Sequence, residues 1–120
     1  LKVTAYLDTT DKLTIGFGRN LYTVGISQEE AVYLLRNDVD RCRKELSSYS
    51  WYYDQPYIVQ NALVNMCFNL GLKRLLSFHG MIAALEYKDY TKAALEALNS
   101  KWALQVGDRA KDIALMIRQG

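Results

Sequence analysis

Tyr6-Leu7-Asp8-Thr9-Thr10-Asp11-Lys12-Leu13-Thr14-Ile15-Gly16-Phe17-Gly18 is the stretch that decides how this chain folds. Leu13, Ile15 and Phe17 alternate with Thr14, Gly16 and Gly18, the period of two that a β-strand imposes on its side chains. The polar run Thr9 to Lys12 separates that strand from Thr4 to Leu7, so the segment from Val3 to about Gly18 predicts a hairpin. Its turn contains no glycine. Asp11 is the candidate for left-handed backbone there, because aspartate tolerates that conformation better than most residues. Asp8 stands near the end of one strand and Thr14 in the next, so the hairpin can bring a carboxylate and a hydroxyl together. Such a pair can hold and polarise a water. On spacing alone, an aspartate before a turn reads first as a turn-maker. Gly16 and Gly18 leave room for a ligand or another backbone to approach.

Beyond Gly25 the pattern turns helical. Ser27-Gln28-Glu29-Glu30 is a capping box, in which the serine oxygen and Glu30 satisfy free amides at a helix start. Ala31, Leu34, Leu35, Val39, Cys42 and Leu46 follow at helical spacing, which predicts a long amphipathic helix to about Leu46. Ser47 to Tyr53 reads as a connector. Asp54 is the expected cap of the next helix, with Pro56 in its first turn. Ile58, Val59, Ala62, Leu63, Met66, Cys67 and Leu70 form a wide apolar face, so this helix is the expected buried centre, closed by Gly71. Shorter helices are predicted from about Ser77 to Leu85 and from Asp89 to Leu98. Ser100 and Asp108 are candidate caps for two more, the last running to about Arg118 with Ala110, Ile113, Ala114 and Ile117 on one face.

The 120 residues suit one domain: a β-hairpin lobe (1–26), a connecting helix (27–47) and a helical lobe (48–120), mostly α in an α+β class. Fifteen basic and thirteen acidic residues leave a net charge of +2. The charges are interspersed, which argues against a nucleic-acid binder with its basic face. No run has the length of a membrane span, and nothing reads as a secretory signal. Cys42 falls on a helical apolar stripe and Cys67 in an apolar segment, so both are expected as buried free thiols. The lone histidine, His79, has no partners for a metal site and is expected at the surface or at a helix start.

Three separated motifs stand in one order along essentially the whole chain. They are Tyr6-x-Asp8 with Thr14-Ile-Gly-x-Gly18; Asn65-Met-Cys-Phe-Asn69-Leu-Gly71; and Ser100-Lys-Trp102 with Gln105, Arg109-Ala-Lys111 and Arg118-Gln-Gly120. Together they resemble the phage lysozymes of glycoside hydrolase family 24. The resemblance implies a two-lobe fold and a muramidase, which hydrolyses the β-1,4 bond between N-acetylmuramic acid and N-acetylglucosamine in peptidoglycan and so lyses bacteria. Two acidic groups then flank the scissile bond, with inverting-type delivery of water. Asp8 matches the carboxylate that handles water or oxocarbenium charge, and Thr14 the threonine that places the attacking water. Gly18, Asn20, Phe68, Asn69, Phe78, Lys101, Trp102 and Arg109 match positions that hold the sugar chain. Phe68, Phe78 and Trp102 read equally as core packing.

In the resembled family the proton donor is a glutamate in a Glu-Gly pair ending a first helix, and the alignment of Tyr6 and Asp8 sets that pair directly before Leu1. The expectation is therefore that these 120 residues lack both the helix and the acid, and alone turn over little substrate. Glu29 and Glu30 read as capping residues, and Glu45, Glu86 and Glu96 as solvated helix positions. Arg109 matches the arginine that pairs with that glutamate. A family histidine that pairs with an aspartate becomes Arg19 here, so a bidentate Arg19–Asp38 bridge is expected. No cofactor is implied. The expected partners are the peptidoglycan glycan strand and a missing N-terminal segment or second chain that covers the helical lobe. The expected location is the host bacterial cytoplasm until lysis. The alternatives are a lysozyme-fold module that binds glycan without cutting it, and a helical interaction domain.

Overall fold

The computed structural model describes residues 1–120 and divides them into two compact units, Leu1–Arg36 and Asn37–Gly120. The first unit carries an antiparallel three-stranded sheet in the order β1-β2-β3, formed by Lys2–Leu7, Leu13–Gly16 and Arg19–Asn20. The hairpin lies where the alternation put it, and Asp11 takes the left-handed conformation at φ 59°. Tyr6 pairs with Thr14 and Leu7 with Leu13, beyond an irregularity in register after Lys2. The two-residue β3 adds a third strand that the sequence pattern is too short to announce; it pairs Asn20 with Thr14 and Arg19 with Ile15.

Burial in this unit runs against the apolar alternation. Thr14, in the middle strand, is 2% exposed, while Leu13 and Phe17 lie open. Helix α1 (Gln28–Leu46) begins in this unit and continues into the second. Its capping box forms as expected: Ser27 Oγ accepts from the Glu30 amide at 3.0 Å, and Glu30 Oε1 accepts from the Ser27 amide at 2.9 Å. The apolar stripe buries Cys42 and Leu46, but Ala31, Leu34 and Leu35 near its start remain exposed.

The second unit is helical. After α1 come α2 (Ser50–Tyr53), α3 (Tyr57–Leu70), α4 (Leu72–Leu76), α5 (His79–Glu86), α6 (Tyr90–Leu98), α7 (Lys101–Val106) and α8 (Asp108–Arg118). The expected connector before α3 is thus a helical turn, held by burial of Trp51 and Tyr52. Asp54 closes α2 rather than capping α3, and Pro56 precedes the helix it was expected to enter. Val59, Ala62, Leu63, Met66 and Cys67 make α3 the buried centre, with α8 packed on α3 and α6 through Ala110, Ile113, Ala114 and Ile117. Gly71, at φ 80°, ends α3 in a conformation that costs a side-chain-bearing residue. The segment after it divides into α4 and α5. Asp89 and Ser100 cap α6 and α7, but Gly107 takes the capping position before α8, leaving Asp108 as its first residue.

Both cysteines are free and buried. Burial, with Cys42 beside it, pushes the Cys67 thiol up to about 12. No helix is long and apolar enough to cross a membrane.

Candidate active site

In the first unit the turn is organised around one carboxylate oxygen. Asp8 Oδ1 accepts hydrogen bonds from the Thr10 amide at 2.8 Å, the Thr10 hydroxyl at 2.8 Å and the Lys12 amide at 2.9 Å. These donors, the Lys12 amide foremost, hold the carboxyl below its ordinary value, so it is ionised in neutral solution. Asp8 therefore is a turn-maker, and its second oxygen stays free of protein donors. Thr14 is linked to it through a single residue. The Lys12 carbonyl accepts from the Asp8 amide and from Thr14 Oγ1, each at 2.9 Å. With its proton committed, the Thr14 hydroxyl keeps lone pairs with which to accept from another donor.

Gly16 and Gly18 have φ of 69° and 102°. A methyl group at either would meet nothing within 4 Å, so backbone conformation rather than crowding calls for glycine there. Asn20 is a second turn-maker: its Oδ1 accepts from the Tyr22 and Thr23 amides, both at 3.0 Å. A groove of about 1270 Å³, walled by Phe17, Gly18, Leu21, Ile26 and Tyr33, also belongs to this unit. Sequence reasoning missed it. The signal was the apolar start of α1, which was read only as one face of a long amphipathic helix.

The Arg19–Asp38 bridge is corrected by the structure. Arg19 makes a bidentate bridge to Glu30 at 2.8 and 2.9 Å, and Asp38 pairs with Arg41, one turn further along α1, at 2.8 Å. The capping box fixes the Glu30 carboxylate, and Arg19 also donates to the Gly25 carbonyl beside it at 3.1 Å, so the guanidinium is satisfied locally. The Arg19 guanidinium, aided by the Ser27 amide, draws the Glu30 carboxyl down to about 2. Glu30 is thus a poor proton donor.

In the second unit the expected residues fall into two clusters. Arg109 donates through Nη1 to Asn69 Oδ1; Asn69 in turn donates to the Asn65 carbonyl at 2.8 Å. Phe78 meets the Trp102 ring edge-on at 6.2 Å. Both line, with Lys101, a pocket of about 440 Å³ between α5, α6 and α7. Trp102 is buried and Phe78 half-buried, whereas Phe68 is 41% exposed on α3 and outside that pocket. His79 is exposed at the start of α5. No group of three or more His, Cys, Asp or Glu side chains is arranged to hold a metal ion.

The sequence profile described as phage lysozyme matches residues 1–119. The chain belongs to the phage lysozyme family. Among curated relatives, a probable T4-type lysozyme of Dictyostelium discoideum is 27% identical over 99 residues, covering 79% of this chain and 58% of that protein. The pre-baseplate central spike protein of Enterobacteria phage T4 is 29% identical over 99 residues, covering 79% of this chain and 17% of that protein. The chain thus spans less than two thirds of either relative's length. Its small antiparallel sheet and helical remainder fit the α+β fold of the family.

Proposed function

We propose that this chain is the glycan-cleaving domain of a peptidoglycan hydrolase, a muramidase in which Asp8 is the ionised carboxylate of the reaction. The observation that carries the reading is the state of Asp8. One oxygen is pinned by three donors and the other is free, so an anion is fixed in place without being neutralised. A carboxylate so held suits activating a water or stabilising positive charge on a sugar ring as the glycosidic bond breaks. Thr14, tied to Asp8 through Lys12, offers the lone pairs that would orient the water. Proton donation to the leaving oxygen falls to a glutamate outside these 120 residues, as the family pattern implies. Glu30, held ionised by Arg19, is unsuited to it.

The second reading, a module that binds wall glycan without cutting it, is favoured by a different observation. Asp8, Thr14 and Asn20 all have structural tasks in the turns, so their presence does not require catalysis. One experiment separates the two. Release of reducing sugar from purified cell walls is followed for the 120 residues and for a form extended upstream by a helix ending in Glu-Gly. The hydrolase reading expects turnover in the extended form that is lost in its Asp8→Asn variant. An extended form that sediments with walls yet releases no sugar would establish the binding reading instead.

A further inference from the structure

The first unit has no apolar core of its own. Between Leu1 and Arg36 only Thr14 is buried, and the groove of about 1270 Å³ beside the start of α1 lies open. Phe17, on its hairpin wall, is 89% exposed, more than any other large apolar side chain of the protein. On the helical wall, Val32 and Tyr33 are 44% and 66% exposed. An apolar surface of this kind on so small a unit marks a place where something docks.

The charges beside it identify the occupant. Glu29, Val32, Tyr33 and Arg36 all line the groove, and their i, i+3, i+4, i+7 spacing sets them on one face of α1. Glu29 and Arg36 close the two ends of that face, two helical turns or about 10.5 Å apart along the axis. Neither belongs to any of the four ion pairs of the chain, whereas the adjacent Glu30 is spent on Arg19. An order of acid, apolar, apolar and base is its own complement when reversed. A second α1, laid antiparallel about a midpoint between Val32 and Tyr33, sets Glu29 of each copy against Arg36 of the other. Val32 of each copy then meets Tyr33 of the other between them.

We propose that this face of α1 is a homodimer interface, into which a second copy of the chain packs its own α1 antiparallel about a two-fold axis. One patch then serves both copies, as an isologous contact requires. Burial of Val32, Tyr33 and Phe17 supplies the affinity. The Glu29–Arg36 pairs, at the rim, add little attraction but fix the antiparallel register, because a parallel arrangement sets like charges together. The interface uses neither Asp8 nor Thr14, so association is read separately from hydrolysis.

Sedimentation equilibrium over about 1 to 100 μM chain tests the proposal. The mass is expected to rise with concentration from the 13.8 kDa of one chain toward twice that value. Glu29→Arg or Arg36→Glu alone sets like charges together at both ends and is expected to weaken dimerisation about tenfold or more. An equimolar mixture of these two variants restores both pairs between unlike chains, so it is expected to dimerise as the parent does. Both variants should keep the circular dichroism of the parent, since neither residue has an ion-pair partner within the chain. Val32→Ser, which leaves the charges in place, should also weaken dimerisation. A chain that stays monomeric throughout, a dimer indifferent to both reversals, or a mixture that associates no better than its components would overturn the proposal. So would a form extended upstream that stays monomeric while the 120 residues dimerise, because the added segment would then be the occupant of the groove.

Discussion

Replacing Thr14 by valine separates the structural role of its hydroxyl from a chemical one. Valine keeps the branched shape in a site only 2% exposed and removes the bond from Oγ1 to the Lys12 carbonyl. That carbonyl retains the Asp8 amide as a partner at 2.9 Å, so it is not stranded. The loss is therefore the net value of one hydrogen bond, about 1 kcal/mol, rather than the larger cost of an orphaned buried group. Over a chain of 120 residues this corresponds to a fall in Tm of about 4 °C, measurable by calorimetry. If Thr14 also orients the attacking water, sugar release by the extended form should fall about 100-fold, well beyond the effect of a small stability loss. Thr14→Ser, which restores the hydroxyl, should recover most of the rate. A valine variant with the expected Tm loss and an unchanged rate would refute the chemical role and leave Thr14 as a hairpin tie.

Asp8→Asn keeps an Oδ1 acceptor for Thr10 and Lys12, so far-ultraviolet circular dichroism should be unchanged while sugar release drops by at least 100-fold; full activity would reduce Asp8 to its turn. Glu30 has a folded pKa of about 2 against an ordinary 4.5, so its contribution to stability is complete above about pH 4.5 and is lost as pH falls toward 2. Thermal melts of Glu30→Gln should accordingly show a flatter decline over that interval than the parent chain. Gly71→Ala places a side chain at φ 80° and should cost about 1–2 kcal/mol in urea unfolding. Cys67, buried and with its thiol pushed up to about 12, should not react with a thiol-specific dye at pH 8 until the protein is unfolded.

Local chemistry was the legible part of this fold. The capping box at Ser27 and Glu30, the left-handed Asp11 and the cap Ser100 each depend on a few adjacent residues, and each formed, whereas Asp54 and Asp108 did not take the capping positions expected of them. The wide apolar face of α3 was equally plain, because few arrangements other than central burial suit it. What escaped depends on distant partners. α2 exists because Trp51 and Tyr52 find a core, which its polar-aromatic composition does not announce. Arg19 chose Glu30 over Asp38 because the capping box already held that carboxylate in place. At the candidate site the sequence motifs picked out Asp8 and Thr14, but the way they are joined was hidden.

The peptide unit of Lys12 has an evolutionary consequence. Its amide serves Asp8 and its carbonyl serves both the Asp8 amide and the Thr14 hydroxyl, so the joint between these residues is made entirely of main chain. The lysine side chain rests over the exposed ring of Tyr22, and its charge is the least of the influences that lower the Asp8 carboxyl. Position 12 should therefore drift freely in descendants of this sequence, accepting almost any residue while excluding proline, which has no amide hydrogen to give. A survey of tolerated substitutions would rank it among the least constrained sites of the hairpin, although the two constrained positions on either side are connected through it.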